Sequence, residues 1–317
     1  MPTKILSFGD FLNESFADKY PSLKKIYLAT KRSSGQRWLS YKGFAGNKYF
    51  IQITENNIDK IDINPEYPIL NYHSDIVNEL LDKGRIIGEN VYNHPSVISK
   101  SGSKKEFHKL VGDDENIPTT VYSKEDALDR LSFPIIAKPA NGHSGIGIKI
   151  VESENDLNQL DDSFDTFSEF IDKAEEHRFF NFRGEPFFWM ERTPLNDKAK
   201  TGKGDASEEM HFGYARRDVS EIPKDMKSVL KKYCKIYKDF PYICFDVMRD
   251  KKGKIFIIES NSQPGVPFDS TAQIYEKIYE DFYGTPMDES SKRKLDEYSE
   301  SLIQMTLGKD KNRFSIK

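Results

Sequence analysis

Cysteine is scarce in this sequence, which argues against a disulfide scaffold and against a structural zinc site. Only Cys234 and Cys244 occur among 317 residues, and neither belongs to a CxxC pair or a Cys/His cluster. Disulfide-rich domains carry several paired cysteines, and zinc sites carry cysteine and histidine at short, fixed spacings. We therefore expect two half-buried thiols in a reducing cytoplasm.

Long apolar runs and an excess of positive charge are also missing. No apolar stretch approaches the ~20 residues that span a bilayer, and residues 1–11 are too short and too polar for a signal peptide. The formal net charge of −4 provides no basic field that would attract nucleic acid or an anionic membrane. We expect a cytoplasmic protein without membrane or nucleic-acid partners.

The composition is typical of a globular protein with more than one subdomain. Hydrophobic residues make up 37% and charged residues 31% of the chain, which favours a packed core beneath a well-solvated surface. A length of 317 residues is sufficient for two or three subdomains. We divide the chain into residues 1–98, 99–165 and 166–317.

The first part alternates short apolar runs with a helical stretch, which predicts a small α/β domain. Its predicted strands are Lys4–Phe8, Ile26–Ala29, Tyr49–Ile53 and Ile86–Ile87. A helix is predicted at Ser74–Asp82, with Ser74 as its N-cap.

The second and third parts predict further α/β layers around a glycine-rich loop. In the second part, Ser123 and Ser153 have the character of helix N-caps, and strands are predicted at Pro134–Pro139 and Ile148–Val151. The predicted elements of the third part are strands at Arg178–Phe182, Pro186–Glu191, Tyr242–Arg249 and Lys254–Asn261, helices at Lys224–Tyr237, Ser270–Phe282 and Ser290–Leu307, and a polar loop at Asn196–Glu209.

The glycine-rich loop has the character of a phosphate-binding flap. Gly142, Gly145 and Gly147 allow positive φ angles and a close approach of backbone N–H groups to an anion. A strand follows the loop, whereas the dinucleotide fingerprint and the P-loop both require a helix there. Lys138 precedes the loop and could neutralise a phosphate oxygen. The alternative is a plain hairpin loop with an exposed lysine.

Two acids and an amide near the end of the third part predict a metal site. Asp246 lies inside an apolar strand, where a charge is rarely left without a partner or a metal. If Lys252 and Gly253 form a two-residue turn, Asp246 lies opposite Glu259, and Asn261 shares a face with Glu259. An all-oxygen ligand set suits Mg²⁺ or Mn²⁺. The alternative is a surface hairpin with incidental acids.

Taken together, these segments resemble the ATP-grasp superfamily over about residues 84–266, and in particular the branch of the ribosomal-protein glutamate ligase. Gly84, Asn93, Pro95 and Lys104 match the approach to the first ATP-binding lysine, and Lys138 with the flap matches the second. The sequence from Glu259 to Gly265 matches the magnesium-binding signature. The fold implied is α/β (α+β), with three subdomains and ATP held between two α/β lobes.

The resemblance also implies roles for individual residues. The implied ATP-binding residues are Lys104, Lys138, Gly142, His143, Ser144, Gly145, Gly147, Glu169, Phe170, Ile171 and Glu176. Glu169 to Ile171 correspond to the adenine hinge, and Glu176 to the ribose acid, where the family more often has Asp. Arg178 corresponds to a substrate arginine. The second implied catalytic arginine is Arg216 or Arg217, because the usual glycines after it are absent.

The activity implied is that of an ATP-dependent carboxylate–amine ligase, which forms an amide through an acylphosphate and releases ADP and phosphate. ATP and Mg²⁺ (or Mn²⁺) are the implied cofactors, and a homo-oligomer is compatible with the resemblance. The implied partners are an amino acid or other carboxylate and an amine on a protein, peptide or small molecule. Two alternatives stay open: phosphoryl transfer to a hydroxyl, and a nonenzymatic nucleotide-binding protein.

Three further side chains have ordinary interpretations. His143 in the flap and His177 near the hinge are expected to be solvent-facing loop histidines rather than general bases. Arg192 is either part of the family pattern or a salt-bridging residue.

Overall fold

The computed structural model describes residues 16–20, 23–30, 49–99, 104–139, 147–194, 212–266 and 270–309. The chain divides into two compact units, one formed by residues 1–99 with 263–317 and the other by residues 100–262. The predicted strand Lys4–Phe8, the predicted loop Asn196–Glu209 and flap residues 141–146 lie outside the described residues. Of the helices in the described ranges, none has the length and apolar character needed to cross a membrane.

The described strands and helices follow one another along both units. The strands are β1 (Tyr27–Ala29), β2 (Ile51–Ile53), β3 (Ile69–Asn71), β4 (Val91–Tyr92), β5 (Thr120–Val121), β6 (Ile135–Pro139), β7 (Lys149–Val151), β8 (Phe164–Glu169), β9 (Lys173–Phe182), β10 (Glu185–Pro194), β11 (Phe212–Arg217), β12 (Tyr242–Asp250) and β13 (Ile255–Asn261). The α-helices are α1 (Phe16–Lys19), α2 (Ser74–Asp82), α3 (Pro95–Ile98), α4 (Lys104–Val111), α5 (Lys124–Arg130), α6 (Glu154–Asn158), α7 (Lys224–Ile236), α8 (Thr271–Tyr283) and α9 (Glu289–Lys309).

The first unit contains a parallel sheet with strand order β2-β1-β3-β4. All three residues of β1 and of β3 are buried, which agrees with the continuous apolar runs of parallel strands. Helix α2 buries Ile76, Val77 and Leu80, which lie on one side of the helix and join the core of the sheet.

Two predictions for this unit are wrong. Ile86–Ile87 is not a strand, and β4 begins five residues later at Val91 because Gly84, with a φ of 63°, and the 3₁₀ turn at Gly88–Asn90 come first. Ser74 is not the N-cap of α2. His73 holds that position without a capping hydrogen bond from its side chain, and Ser74 is the first helical residue.

An aromatic core joins segments that are far apart in sequence within this unit. Phe16 packs against Tyr275 at a ring-centroid distance of 5.5 Å, and Tyr49 packs against Tyr298 at 5.6 Å. The Tyr49 hydroxyl also lies 2.9 Å from the Ser299 hydroxyl. These contacts explain why helices α8 and α9 belong to the unit that contains the parallel sheet.

The second unit contains two antiparallel sheets. One has the order β5-β8-β6-β7, and the other has the order β11-β10-β9-β12-β13. The N-cap roles of Ser123 and Ser153 are confirmed, because their hydroxyls accept hydrogen bonds from the backbone N–H groups of Asp126 and Asp156. β6 and β7 pair antiparallel, so the glycine-rich loop joins two antiparallel strands as predicted.

The β12–β13 hairpin places Asp246 opposite Glu259, as predicted, but reaches this register by another route. The two-residue turn is wrong, because Arg249 pairs with Ile255 and the backbone of Asp250 bonds to Lys254 across a three-residue loop. A β-bulge between Asp246 and Val247 then shifts the register by one residue. The two shifts cancel at the acidic pair.

Both cysteines are buried more deeply than expected. Cys234 is 3% exposed and Cys244 is 0% exposed, and both are free thiols. The Cys234 thiol donates to the Asn181 side-chain oxygen at 3.0 Å. Burial raises the pKa of Cys234 to about 12 and places that of Cys244 well above the ordinary thiol value.

Candidate functional site

A single cross-strand row in the five-stranded sheet carries most of the predicted chemistry. Glu259 pairs with Asp246, Asp246 with Arg178, Arg178 with Met190, and Met190 with Arg216. Directly opposite residues on antiparallel strands face the same side of a sheet. The row therefore places the two acids and two arginines on one face, which we call the acid–arginine face.

The same register separates the two candidate arginines. Arg216 lies in the row beside Met190, whereas Arg217 pairs with Trp189 and faces the opposite side. There Arg217 forms an ion pair with Glu191 at 3.1 Å, and its other nitrogen lies 4.0 Å from Glu221. Of the two predicted alternatives, Arg216 is the one on the acid–arginine face.

Arg178 and Asp246 form a two-point ion pair on this face. The Arg178 Nε lies 2.6 Å from Asp246 Oδ1, and its Nη2 lies 2.7 Å from Oδ2. Burial alone would raise the pKa of Asp246, but the charge and hydrogen bonds of Arg178 outweigh it and hold that pKa below its ordinary value. Asp246 is therefore a carboxylate at neutral pH.

Glu259 has the opposite electrostatic environment. Burial and the negative charge of Asp246 raise the pKa of Glu259 to about 7, although the nearby Lys138 acts to lower it. A cation placed between two facing carboxylates reduces the electrostatic repulsion between them. The pair therefore has the electrostatic character expected of a metal site before its ion is bound.

Asn261 completes the oxygen set that the sequence predicts. It lies at the end of β13, two residues after Glu259, and its position pairs with Cys244 in the row next to Asp246. No cluster of three or more His, Cys, Asp or Glu side chains suited to a metal occurs in the described parts of the chain. Two carboxylates and one amide fit a hard cation that takes its remaining ligands from phosphates and water.

The two predicted lysines lie within electrostatic reach of each other. Burial lowers the pKa of Lys138 on β6, the positive charge of Lys104 lowers it further, and Glu259 acts to raise it. Lys104 is the first residue of α4 and is half-buried. The neighbouring Lys105 is exposed and lies over the Tyr122 ring, with its Nζ 5.6 Å from the ring centroid. Lys104 is thus the lysine beside Lys138.

One predicted flap residue is described. Gly147 has a φ of 75°, and a Cβ at this position would lie 3.2 Å from the Pro139 ring. A side chain would therefore be strained by the backbone and by the neighbouring proline. The other flap residues of the prediction, Gly142, His143, Ser144 and Gly145, lie outside the described residues.

The predicted hinge connects the two sheets of this unit. Glu169 ends β8, and its backbone N–H donates to the Thr119 carbonyl at 2.9 Å. Its carboxylate accepts from the Thr119 backbone N–H at 3.4 Å. Phe170 and Ile171 follow as half-buried residues before β9 begins. In the described structure, the Glu169 carboxylate is therefore already engaged in a hydrogen bond to the backbone.

The predicted ribose acid is held by two basic side chains. Glu176 is 8% exposed and accepts from Lys173 at 2.5 Å and from Arg192. Arg192 is thus a salt-bridging residue, and its charge also helps to lower the pKa of Asp246. The prediction that His177 is a solvent-facing loop histidine is wrong. His177 lies within β9, is 5% exposed and bonds to Glu175 at 3.1 Å.

Sequence patterns did not single out three neighbours of the site. Lys173 contacts Glu176, Met190 lies in the cross-strand row, and His108 lies one helical turn after Lys104. The i, i+4 spacing from a predicted ATP lysine could have indicated His108. No comparable signal in the sequence marks Lys173 or Met190.

Comparison with known sequences gives one curated relative. No protein-family model matches the chain. Human mitochondrial pyruvate carboxylase is 27% identical over 146 residues, which is 41% of this chain and 12% of the carboxylase. The chain therefore spans only a small part of the length of this relative.

Comparison with solved structures gives several ligases. The D-alanine–D-alanine ligase of Bacillus anthracis has a TM-score of 0.56 at 22% identity and covers 87% of this chain and 100% of its own. The ATP-grasp ligase PsnB, solved with a minimal-precursor variant, Mg and ADP, has a TM-score of 0.55 at 12% identity over 82% and 99%. The macrocyclase MdnC of Microcystis aeruginosa, bound to a precursor peptide, has a TM-score of 0.52 at 14% identity over 82% and 100%.

Proposed function

The chain has the ATP-grasp fold, and on this premise we propose that it is an ATP-dependent carboxylate–amine ligase. The observation that carries the proposal is the convergence of charges in the second unit. Asp246, Glu259 and Arg178 lie in one cross-strand row, and Lys138 is within electrostatic reach of both Glu259 and Lys104. Phosphoryl transfer depends on positioned charges of this kind more than on a covalent catalyst.

The proposed reaction has two steps. In the first, an oxygen of the substrate carboxylate attacks the γ-phosphorus of ATP, the bond to the β–γ bridging oxygen breaks, and an acylphosphate and ADP form. In the second, an amine attacks the acyl carbon, the C–N bond forms, phosphate leaves with the C–O electron pair, and the amine loses a proton. The products are an amide, ADP and phosphate.

In this scheme the lysines hold the nucleotide. Lys104 and Lys138 neutralise phosphate oxygens. Asp246, Glu259 and Asn261 would hold Mg²⁺ or Mn²⁺, which supplies charge neutralisation for the transferred phosphoryl group. Each of these residues belongs to the unit of residues 100–262.

The arginines of the acid–arginine face are proposed to bind the acyl substrate. Asp246 fixes the direction of the Arg178 guanidinium through two hydrogen bonds, and Arg216 lies two strands away in the same row. Guanidinium groups match carboxylates and the oxyanion that develops at the acyl carbon. Arg217, on the opposite side of the sheet, has no role in this scheme.

The carboxylate and amine are proposed only as classes: an amino acid or other carboxylate, and an amine on a protein, peptide or small molecule. MdnC is bound to a precursor peptide, so peptides are the first acceptors to test.

A screen for ADP release with mass spectrometry of the products tests the proposal. Amino acids and acceptors are combined with ATP and Mg²⁺, and we expect at least one pair to give ADP and an amide in equal amounts. Glu259→Gln should abolish turnover, and Arg217→Gln is the matched surface control that should retain it. ADP release with a phosphorylated hydroxyl would replace the ligase with a kinase-like transfer, and ATP binding without turnover would indicate a nonenzymatic protein.

A further inference from the structure

His108 lies beside the two predicted ATP lysines without a role in the scheme above. It follows Lys104 by four residues on α4, so both side chains project from the same side of that helix. Phe107 and Val111 form the buried side of α4, whereas Lys104 and His108 are half-buried. The helix thus presents a lysine and an imidazole, one turn apart, next to Lys138.

The surroundings of His108 keep its ring neutral. Burial and the charge of Lys138 lower its pKa to about 4. The ring packs edge-on against Tyr122 at a centroid distance of 6.2 Å, and the Tyr122 hydroxyl donates to the Lys104 carbonyl at 3.4 Å. A third permanent cation here would repel both lysines before an anion arrives, and a neutral imidazole avoids this repulsion while retaining an N–H donor.

The ring nitrogens of His108 have no hydrogen bond or ion pair among the described residues. Other histidines of the chain do have such partners: the Nδ1 of His94 lies 2.8 Å from the Ser96 hydroxyl, and the Nε2 of His177 lies 3.1 Å from Glu175. A neutral imidazole in this position has one N–H that can donate to a ligand. A ligand at this point would provide the bond that the described protein does not.

We propose that His108 is a third phosphate-binding residue, whose imidazole donates a hydrogen bond to a phosphate oxygen of ATP beside Lys104 and Lys138. This assignment rests on the proposed function, because it requires the polyphosphate of a nucleotide to lie between α4 and β6. It adds a neutral donor to the two cations.

The test compares ligands that differ in their phosphates. Binding of Mg·ATP and of adenosine is measured by calorimetry for the full chain and for His108→Leu, His108→Gln and Lys109→Gln. Since a hydrogen bond to a charged group contributes strongly, His108→Leu should weaken ATP binding by roughly 10- to 100-fold and leave adenosine binding unchanged. His108→Gln, which keeps a donor, should lose less.

Lys109→Gln is the matched control, because Lys109 is the next residue of α4 and its side chain is 63% exposed. It should bind both ligands as the parent does. Equal ATP affinity in His108→Leu and the parent would overturn the assignment. So would an equal loss of ATP and adenosine affinity, which would indicate a structural role only.

A second measurement decides the question if His108→Leu fails to fold. The parent chain has six histidines, and selective ¹³C labelling with His108→Gln as the reference identifies the His108 signal. That signal should move on addition of Mg·ATP and not on addition of adenosine; no movement with ATP would overturn the assignment. If the parent bound no ATP, both the proposed function and the assignment of His108 would be wrong. If the parent formed an amide and His108→Leu bound ATP with equal affinity, only the assignment of His108 would be wrong.

Discussion

Replacement of Asp246 by Asn separates the structural role of the acidic pair from its chemical role. Asp246 accepts two short hydrogen bonds from Arg178, and the two side chains are only 17% and 18% exposed. Asparagine keeps the shape but loses the charge, and its amide nitrogen turns a donor toward a donor of the guanidinium. Arg178 then loses one of its two hydrogen bonds to this side chain and the negative charge of the carboxylate.

The expected loss of stability follows from the burial of the Arg178–Asp246 ion pair. Loss of one partner of a buried ion pair costs about 3–5 kcal/mol, and the residual exposure of both side chains reduces this to about 2–4 kcal/mol. For a protein of this size, such a loss corresponds to a decrease of roughly 3–6 °C in melting temperature. We expect this decrease for Asp246→Asn together with loss of turnover.

Glu259→Gln is the matched comparison, because it should abolish turnover without this loss of stability. The folded protein raises the pKa of Glu259 from 4.5 to about 7, so the carboxyl group binds its proton more tightly when folded. Ionisation of Glu259 therefore destabilises the fold as the pH rises from about 4.5 to above 7. Glutamine removes that penalty, so the variant should match the parent at pH 4 and equal or exceed its stability at pH 8.

Urea unfolding at pH 8, followed by tryptophan fluorescence, measures both variants. Trp189 is a suitable probe, because it lies on β10 in the same sheet and stacks on Phe179 at a centroid distance of 5.4 Å. Parent-like stability of Asp246→Asn would refute the reasoning. Equal destabilisation of Asp246→Asn and Glu259→Gln would refute it as well, since it would mean that the two carboxyl groups have the same environment.

Three other predictions follow from the described contacts. Arg216→Gln should lower turnover at least tenfold, whereas Arg217→Gln should leave it near the parental rate; the reverse order in a steady-state assay would move the active arginine to the other face. Iodoacetamide should label neither Cys234 nor Cys244 in the native protein, because burial raises both pKa values; rapid native labelling detected by mass spectrometry would contradict their burial. Gly184→Ala should cost about 1–2 kcal/mol in urea unfolding, since Gly184 has a φ of 82°; an unchanged midpoint would disprove the strain.

The acidic pair was predictable from sequence because its register depends on local chain length. The predicted turn was one residue too short, yet Asp246 still lies opposite Glu259, since the bulge between Asp246 and Val247 adds a compensating shift. Nothing in the sequence of β13 marks that bulge. The pairing of Asp246 with Glu259 was therefore predicted correctly although the turn was not.

The second arginine was not predictable, because its face depends on the pairing of β11. Arg216 and Arg217 are adjacent, and only the pairing of Arg216 with Met190 and of Arg217 with Trp189 decides which one shares a face with Asp246. The residues that precede β11 have no apolar periodicity, so no sequence rule gives its register.

The association of the C-terminal helices with the first unit was also hidden from the sequence. It depends on aromatic contacts such as Phe16 with Tyr275, between residues separated by more than half of the chain. The short strands β3 and β4 have only three and two residues, and runs of that length give no periodicity to detect. The three-part division of the sequence into residues 1–98, 99–165 and 166–317 stays a prediction.

Transfer of oxygen from the carboxylate substrate to phosphate tests the proposed ligase activity most directly. A carboxylate substrate from the screen is labelled with ¹⁸O, incubated with ATP, Mg²⁺ and its amine, and the released phosphate is analysed by mass spectrometry. An acylphosphate route predicts one ¹⁸O atom in phosphate for each amide formed. Amide formation with unlabelled phosphate would contradict the account.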